Sequence, residues 1–258
     1  MVCIKGEAST VFGAEGFALL PVLRRTLPFV VMWTIANYSY SQSLGHIDAA
    51  ETTAVFSSNP AFVYILGLIF LKDKLLPMPI LAIVFATAGI VLMAYSQGFG
   101  TFTFVGVVWA IIASLAAAFY KVLFKKIVGD ANFGQVSVFM TSLGFCNLII
   151  SAPIMIGLAL GDIETIIWTD MPWDFLSGSA ALSLIFNFLI NFGIAFSHPL
   201  FISVGFFLGM PLNGVIDAIF RGVTYGLFEL IGGVCILVSF LLLLIPYRCG
   251  RNSSDPAP

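Results

Sequence analysis

Ala54-Val55-Phe56-Ser57-Ser58-Asn59-Pro60-Ala61-Phe62-Val63-Tyr64-Ile65-Leu66-Gly67-Leu68-Ile69-Phe70-Leu71 runs for eighteen residues without a charge and stops on Lys72-Asp73-Lys74. At 1.5 Å per residue, a stretch of this kind with its few flanking residues covers the ~30 Å of a bilayer's hydrocarbon. Counted with its flanking residues as a span over 50–71, it holds Ser57-Ser58-Asn59-Pro60 about 10–15 Å from its outer end, near the midplane. Hydrocarbon offers no water to satisfy polar groups, so each buried one asks for a partner or a purpose.

The rest of the chain has the same character. Of its 258 residues, 60% are hydrophobic and only 9% charged, whereas a soluble domain is about 25% charged. Too little charge remains to coat a soluble surface. Eight windows are apolar and long enough to span: 27–45, 50–71, 77–97, 104–124, 133–160, 173–196, 199–220 and 223–246. The expected fold is an all-α polytopic membrane protein, with a segment at 1–26 before the bundle and a polar, disordered tail at 247–258. Strands of a membrane barrel would be ~10 residues of alternating polarity, which these continuous runs exclude. Phe17 to Leu23 is apolar but too short to span, and the first residues lack the continuous core of a signal peptide.

Loop charges set the expected orientation. Alternating the loops from the N-terminus puts Lys5, Arg24, Arg25, Lys72, Lys74, Lys121, Lys125, Lys126, Arg248 and Arg251 on one side and Arg221 alone on the other. Eight spans with both termini cytoplasmic follow. A miscounted helix would scramble the split.

A long-range echo runs through the windows. Asn37-Tyr38-Ser39-Tyr40 is echoed by Asn191-Phe192-Gly193-Ile194, and Asn59-Pro60 by Pro211 with Asn213. Gly89 in the third window has a counterpart in Gly232-Gly233 in the eighth. On this register windows one to three match windows six to eight. The offset of five helices forces the copies into opposite orientations, the inverted repeat of secondary transporters. Two helices before the first window would complete a five-plus-five arrangement, so the chain is expected to be a fragment, a short isoform or an incomplete gene product.

Pro60 removes a backbone donor and frees the carbonyl of Phe56; Pro211 does the same for Phe207. Interrupted helices at matching positions of two halves point to a transporter's central site. The expected solute-binding set is Asn37, Tyr40, Gln42, Ser57, Asn59, Pro60, Asn187, Asn191, Pro211 and Asn213; interhelical hydrogen bonding explains the same residues without a solute. Asp48, Glu51, Asp217 and Glu229 fall at the outer ends of their helices, as an acidic vestibule or coupling group, or as what the positive-inside bias leaves outside. Lys121, one turn deeper than Lys125 and Lys126, either snorkels to the interface or reaches an anionic substrate. Asn37-Tyr38-Ser39 and Asn252-Ser253-Ser254 are glycosylation sequons in positions that keep them silent.

Enzyme chemistry has no signature here. His46 and His198 stand apart from any metal cluster, and no nucleophile elbow or phosphate loop occurs. Cys3, Cys146, Cys235 and Cys249 make no metal or disulfide pattern. No cofactor is expected, and no basic patch suits nucleic acid. The expected partners are the lipid bilayer and a small-molecule solute, with homo- or hetero-oligomers open through small-residue pairs such as Gly205 and Gly209.

The run from Ala36-Asn37-Tyr38-Ser39-Tyr40 through Glu51-Thr52-Thr53 and Ser57-Ser58-Asn59-Pro60 to Leu71-Lys72-Asp73-Lys74 resembles the drug/metabolite transporter superfamily, and within it solute carrier family 35, subfamily F. Gly193 to Pro199 and Gly209-Met210-Pro211-Leu212-Asn213 look like the second-half counterpart. The resemblance implies ten helices in two inverted repeats, of which this chain holds the third to the tenth. It implies a transporter of a small polar solute: thiamine, whose positive charge suits an acidic vestibule, or, as relatives elsewhere in the family suggest, a nucleotide sugar. A truncated, non-transporting interaction protein is the alternative. The chain ends without a retention motif, so plasma membrane and Golgi or other endomembranes fit equally.

Overall fold

The computed structural model describes residues 19–73, 75–96, 103–161, 172–221 and 226–250, without the side chains of 19–21, 154, 155, 158, 159, 213, 214, 217, 221 and 245–250. The described residues are helical almost throughout: α1 (Leu19–Leu44), α2 (Ala49–Phe56), α3 (Asn59–Leu66), a π-helical turn (Gly67–Leu71), α4 (Pro77–Ser96), α5 (Phe104–Val128), α6 (Phe133–Leu160), α7 (Trp173–Phe196), α8 (Pro199–Phe207), α9 (Gly209–Arg221) and α10 (Leu227–Gly250). A helix satisfies its backbone within its own segment, which is why lipid selects it. Among the described residues, six segments are long and apolar enough to cross a membrane: Ala49–Leu71, Pro77–Ser96, Phe104–Val128, Phe133–Pro153, Trp173–Phe196 and Leu227–Leu244.

The two remaining windows take other forms. The first lies inside α1, which starts eight residues earlier than expected. Leu19 to Leu23, before Arg24 and Arg25, belong to the same helix, and Pro28 is carried in its interior. The seventh window is two helices, α8 and α9, with Leu208 between them.

Both proline windows are broken just before the proline. In the second, Ser58 N–H bonds Val55 O at 3.1 Å, a tightened turn, and α3 restarts at Asn59 with Pro60 in its first turn, where a missing donor costs nothing. In the seventh, Leu208 N–H bonds Gly205 O at 3.1 Å before α9 restarts at Gly209, two residues ahead of Pro211. A proline inside a continuous helix clashes with the preceding turn; restarting the helix beside it removes the clash.

The chain divides into two compact units. One comprises 1–31 and 127–196. There Thr26 Oγ1 lies 3.2 Å from Cys146 Sγ and Phe29 meets Phe139 edge-on at 5.0 Å, while Phe133 packs on Phe188 and Phe192.

The other unit, 32–126 and 197–258, is built on the crossing of α4 and α10. A Cβ on Gly89 would meet Gly232 O at 2.6 Å, and one on Gly232 would meet Gly89 O at 2.6 Å. Ser239 Oγ closes the pair by donating to Ala82 O at 2.6 Å. In lipid the gain comes from close backbone approach and not from expelling water, so small residues mark the crossing. Val63, Leu66, Ala82, Ala86, Ala118, Val122, Leu200 and Val204 form the adjoining core of α3, α4, α5 and α8.

Contacts within this unit join the ends that the loop alternation places on one side. His198 Nε2 and Asp73 Oδ2 are 2.9 Å apart, tying the segment after the π turn to the start of α8. His198 Nδ1 accepts Leu200 N–H at 3.3 Å, so Nε2 carries the proton toward Asp73. At the opposite ends Tyr95 meets Phe228 and Gly106 sits under Ile47.

Gly89→Ala is expected to lower the melting temperature of the purified chain, because the new methyl meets a backbone oxygen that has nowhere to go, at a cost of about 1–3 kcal/mol. Gly144→Ala, where nothing lies within 4 Å, leaves it unchanged. Differential scanning fluorimetry of the two variants checks the contrast.

Candidate functional site

At the break between α2 and α3 the freed polar groups are gathered by a side-chain network. Asn59, Ser114 and Ser203 are fully buried, on α3, α5 and α8. Asn59 Nδ2 donates to Ser114 O at 2.7 Å. Lys121 Nζ donates to Asn59 Oδ1 at 2.7 Å and to Ser203 Oγ at 3.0 Å. Ser203 Oγ passes its own proton to Pro199 O at 2.8 Å.

The orientation of the Asn59 amide follows from its partners: a flip would set its NH2 against an ammonium and its oxygen against a carbonyl.

The carbonyl released by Pro60 is also taken up. Ser114 Oγ lies 3.4 Å from Phe56 O and 3.0 Å from Ser58 Oγ, so one hydroxyl bridges both sides of the break. Thr87 Oγ1 reaches Ser57 O at 3.5 Å from α4. Ten residues separate Ala49 from Asn59, which puts this network ~15 Å down the helix.

Of the residues expected to bind solute, Ser57, Asn59 and Pro60 sit at this break, all buried. Ser57 Oγ is turned to Ala54 O in its own helix. Asn37 is exposed and donates to Trp33 O at 2.7 Å, Tyr40 lies edge-on to Phe56, and Gln42 is half-buried on α1. Asn187 and Asn191, in the other compact unit, donate to Ser183 O and Asn187 O one turn back along α7. Pro211 is half-buried, with its Cβ 3.3 Å from where a Cβ on Gly233 would stand. The side chains of Asn213 and Asp217 are outside the described residues, as is that of Arg221.

Glu51 and Glu229 take capping roles. Glu51 is fully buried; its Oε2 accepts Asp48 N–H at 3.3 Å in a capping box that starts α2, and its Oε1 has no partner. Glu229 Oε2 accepts Gly226 N–H at 2.7 Å at the start of α10. A carboxylate at a helix N-terminus pairs with orphan N–H groups and the positive end of the dipole, which accounts for both positions. Neither is an open acidic wall.

Several participants escaped the sequence reading. Ser114 precedes Lys121 by seven residues, two turns along one face of α5, and this spacing was the available signal. Ser203 had none beyond its place one turn after Pro199. The link from Ser43 Oγ to Thr52 Oγ1 (3.1 Å) and Gly106 O (3.0 Å) joins three helix ends that only the fold brings together.

Known proteins bear on this arrangement. Residues 16–95 match the EamA-like transporter family. Over 243 residues the chain is 35% identical to solute carrier family 35 member F3 of Homo sapiens, covering 93% of this chain and 57% of that protein. It is 38% identical over 243 residues to member F4 of Mus musculus, covering 93% and 50%. The chain is thus similar to members of subfamily F of solute carrier family 35. It spans about half the length of these relatives. A solved crystal structure, 15% identical, aligns with a TM-score of 0.70 over 94% of this chain and 88% of its own, which supports the fold alone.

Breaking the network from one side is expected to cost more than removing it. Asn59→Leu takes one of the two acceptors from the Lys121 ammonium and the amide donor from Ser114 O, at about 1–3 kcal/mol in all. The Asn59→Leu, Lys121→Met double variant leaves only the carbonyl and recovers part of the loss. Thermal unfolding of the two in detergent checks the order.

Proposed function

We propose that this chain belongs to a secondary transporter that moves a small polar solute by alternating access about a site beside the break at Ser57–Asn59. The observation that carries this reading is the pair of helices, α2–α3 and α8–α9, each interrupted next to a proline. Irregular backbone at depth is tolerated only where protein or a cavity satisfies it, and broken helices at corresponding positions are the mark of transporter sites. The likeness to solute carrier members F3 and F4 supports the same reading.

The two halves are read as inverted repeats holding the third to the tenth of ten helices. In support, Gly89 and Gly232, paired by the sequence echo, face each other across α4 and α10, as equivalent positions about a pseudo-two-fold axis do. Eight spans with both termini cytoplasmic remain the topology that ten of eleven Lys and Arg residues favour. The solute set is proposed to centre on Ser57, Asn59 and Pro60 with Pro211 and Asn213, and with Asn37, Tyr40 and Gln42 as further contacts; Asn187 and Asn191 belong to the other compact unit. Two solute classes come with the family likeness, thiamine and nucleotide sugars. They carry opposite charges.

Vesicles carrying the chain are expected to take up labelled thiamine or a labelled nucleotide sugar above empty vesicles. An Asn59→Leu, Asn213→Leu variant, normalised to folded protein, should lose about tenfold or more of that flux, the worth of one to two strong polar contacts. Equal flux from both proteins would sink the site assignment.

A further inference from the structure

Lys121 places a positive charge among partners that cannot neutralise it. Asn59 Oδ1 and Ser203 Oγ are both uncharged, and among the described residues no carboxylate stands within ion-pair distance. Buried charges in proteins are as a rule paired, because desolvation costs several kcal/mol that neutral hydrogen bonds only partly return. An ammonium has three protons, and two are used here.

Snorkelling does not describe it. That reading needs the ammonium at the helix end, where Lys126 stands with its Nζ 5.0 Å over the Phe70 ring. Lys121 instead turns across to α3 and α8. It sits seven residues short of the end of α5, ~10 Å inside. The N-terminus of α3 begins at Asn59 in the same network, and its dipole adds positive potential there. The hydroxyls of Ser58, Ser114 and Ser203 supply further small polar groups.

We infer that Lys121 is the charge-recognition residue of the transport site, and that the solute presents a phosphate or carboxylate group to it. This deepens the transporter reading and rests on it. It gives the third ammonium proton an acceptor and the half-buried charge its counterion only while solute is bound. Asn59 and Ser203 hold the ammonium in place between solutes. A cationic solute such as thiamine would be repelled from this point, so of the two classes that the family likeness brings, the anionic one is selected.

The test uses the whole chain in nanodiscs of phosphatidylcholine, with uridine monophosphate, inorganic phosphate, a dicarboxylate and thiamine as probes. The wild type should bind at least one anion saturably and ignore thiamine. Lys121→Gln should weaken that binding about tenfold or more, the value of one charge-assisted hydrogen bond, and Lys121→Arg should keep it within about threefold. Melting curves establish that both variants are folded; if Lys121→Gln is not, Lys121→Met with Asn59→Leu replaces it. Unchanged anion binding in a folded variant lacking Lys121, thiamine binding without anion binding, or no anion binding by the wild type each overturns the inference. So does a Lys121 effect confined to discs with anionic lipid, which would make the partner a headgroup. Proteoliposome flux separates the two readings: anion binding without flux refutes transport and leaves the site. Thiamine flux indifferent to Lys121→Gln refutes the site and leaves transport.

Discussion

The structure turns on what happens to backbone and charge where a helix is broken inside a membrane. Pro60 takes away one donor, and Phe56 O must find another away from water. Ser114 provides it, and the same residue's carbonyl holds the amide of Asn59, which in turn orients Lys121 toward Ser203. Remove the need to satisfy the break and no reason remains for α3, α5 and α8 to converge with polar side chains at one depth. The expected proline effect is therefore not a kink but a junction, and the junction is where the unusual chemistry collects.

Packing explains how such a junction is held. The α4–α10 crossing brings two glycines to backbone contact, so that Gly89 and Gly232 act as a fixed point for the unit that contains the network. His198 with Asp73 at one end, and Tyr95 with Phe228 at the other, pin the helix ends. None of these contacts is strong by itself. Together they set the register in which Ser203 comes opposite Lys121.

The sequence made the class and most helices legible because length and apolarity are one-dimensional properties. The break at Ser57–Asn59 was legible too, since proline beside three polar residues is a local signal. Partners were not. Lys121 read most simply as a snorkelling lysine because its helix alone offers nothing else; its acceptors lie 62 residues earlier and 82 later. Glu51 and Glu229 read equally well as a vestibule or as solvent-side acids. The structure shows helix caps, and the Glu at the third position after Asp48 carried that signal. Asn37, Asn187 and Asn191 looked like cavity residues, yet each finds a carbonyl one turn back, an interaction that a list of polar positions does not distinguish from a site.

The account's central claim is that the Lys121 network is open to solute and is not a sealed polar knot. Cysteine modification tests it most directly, with Lys121→Cys placed in a chain whose native cysteines are replaced and treated with a small, charged, membrane-impermeant thiol reagent. The account predicts labelling of Cys at this position at a rate within about an order of magnitude of Lys125→Cys, slowed when the solute-site anion is present. Full labelling at position 125 with none at 121, in the presence or absence of anion, would contradict it.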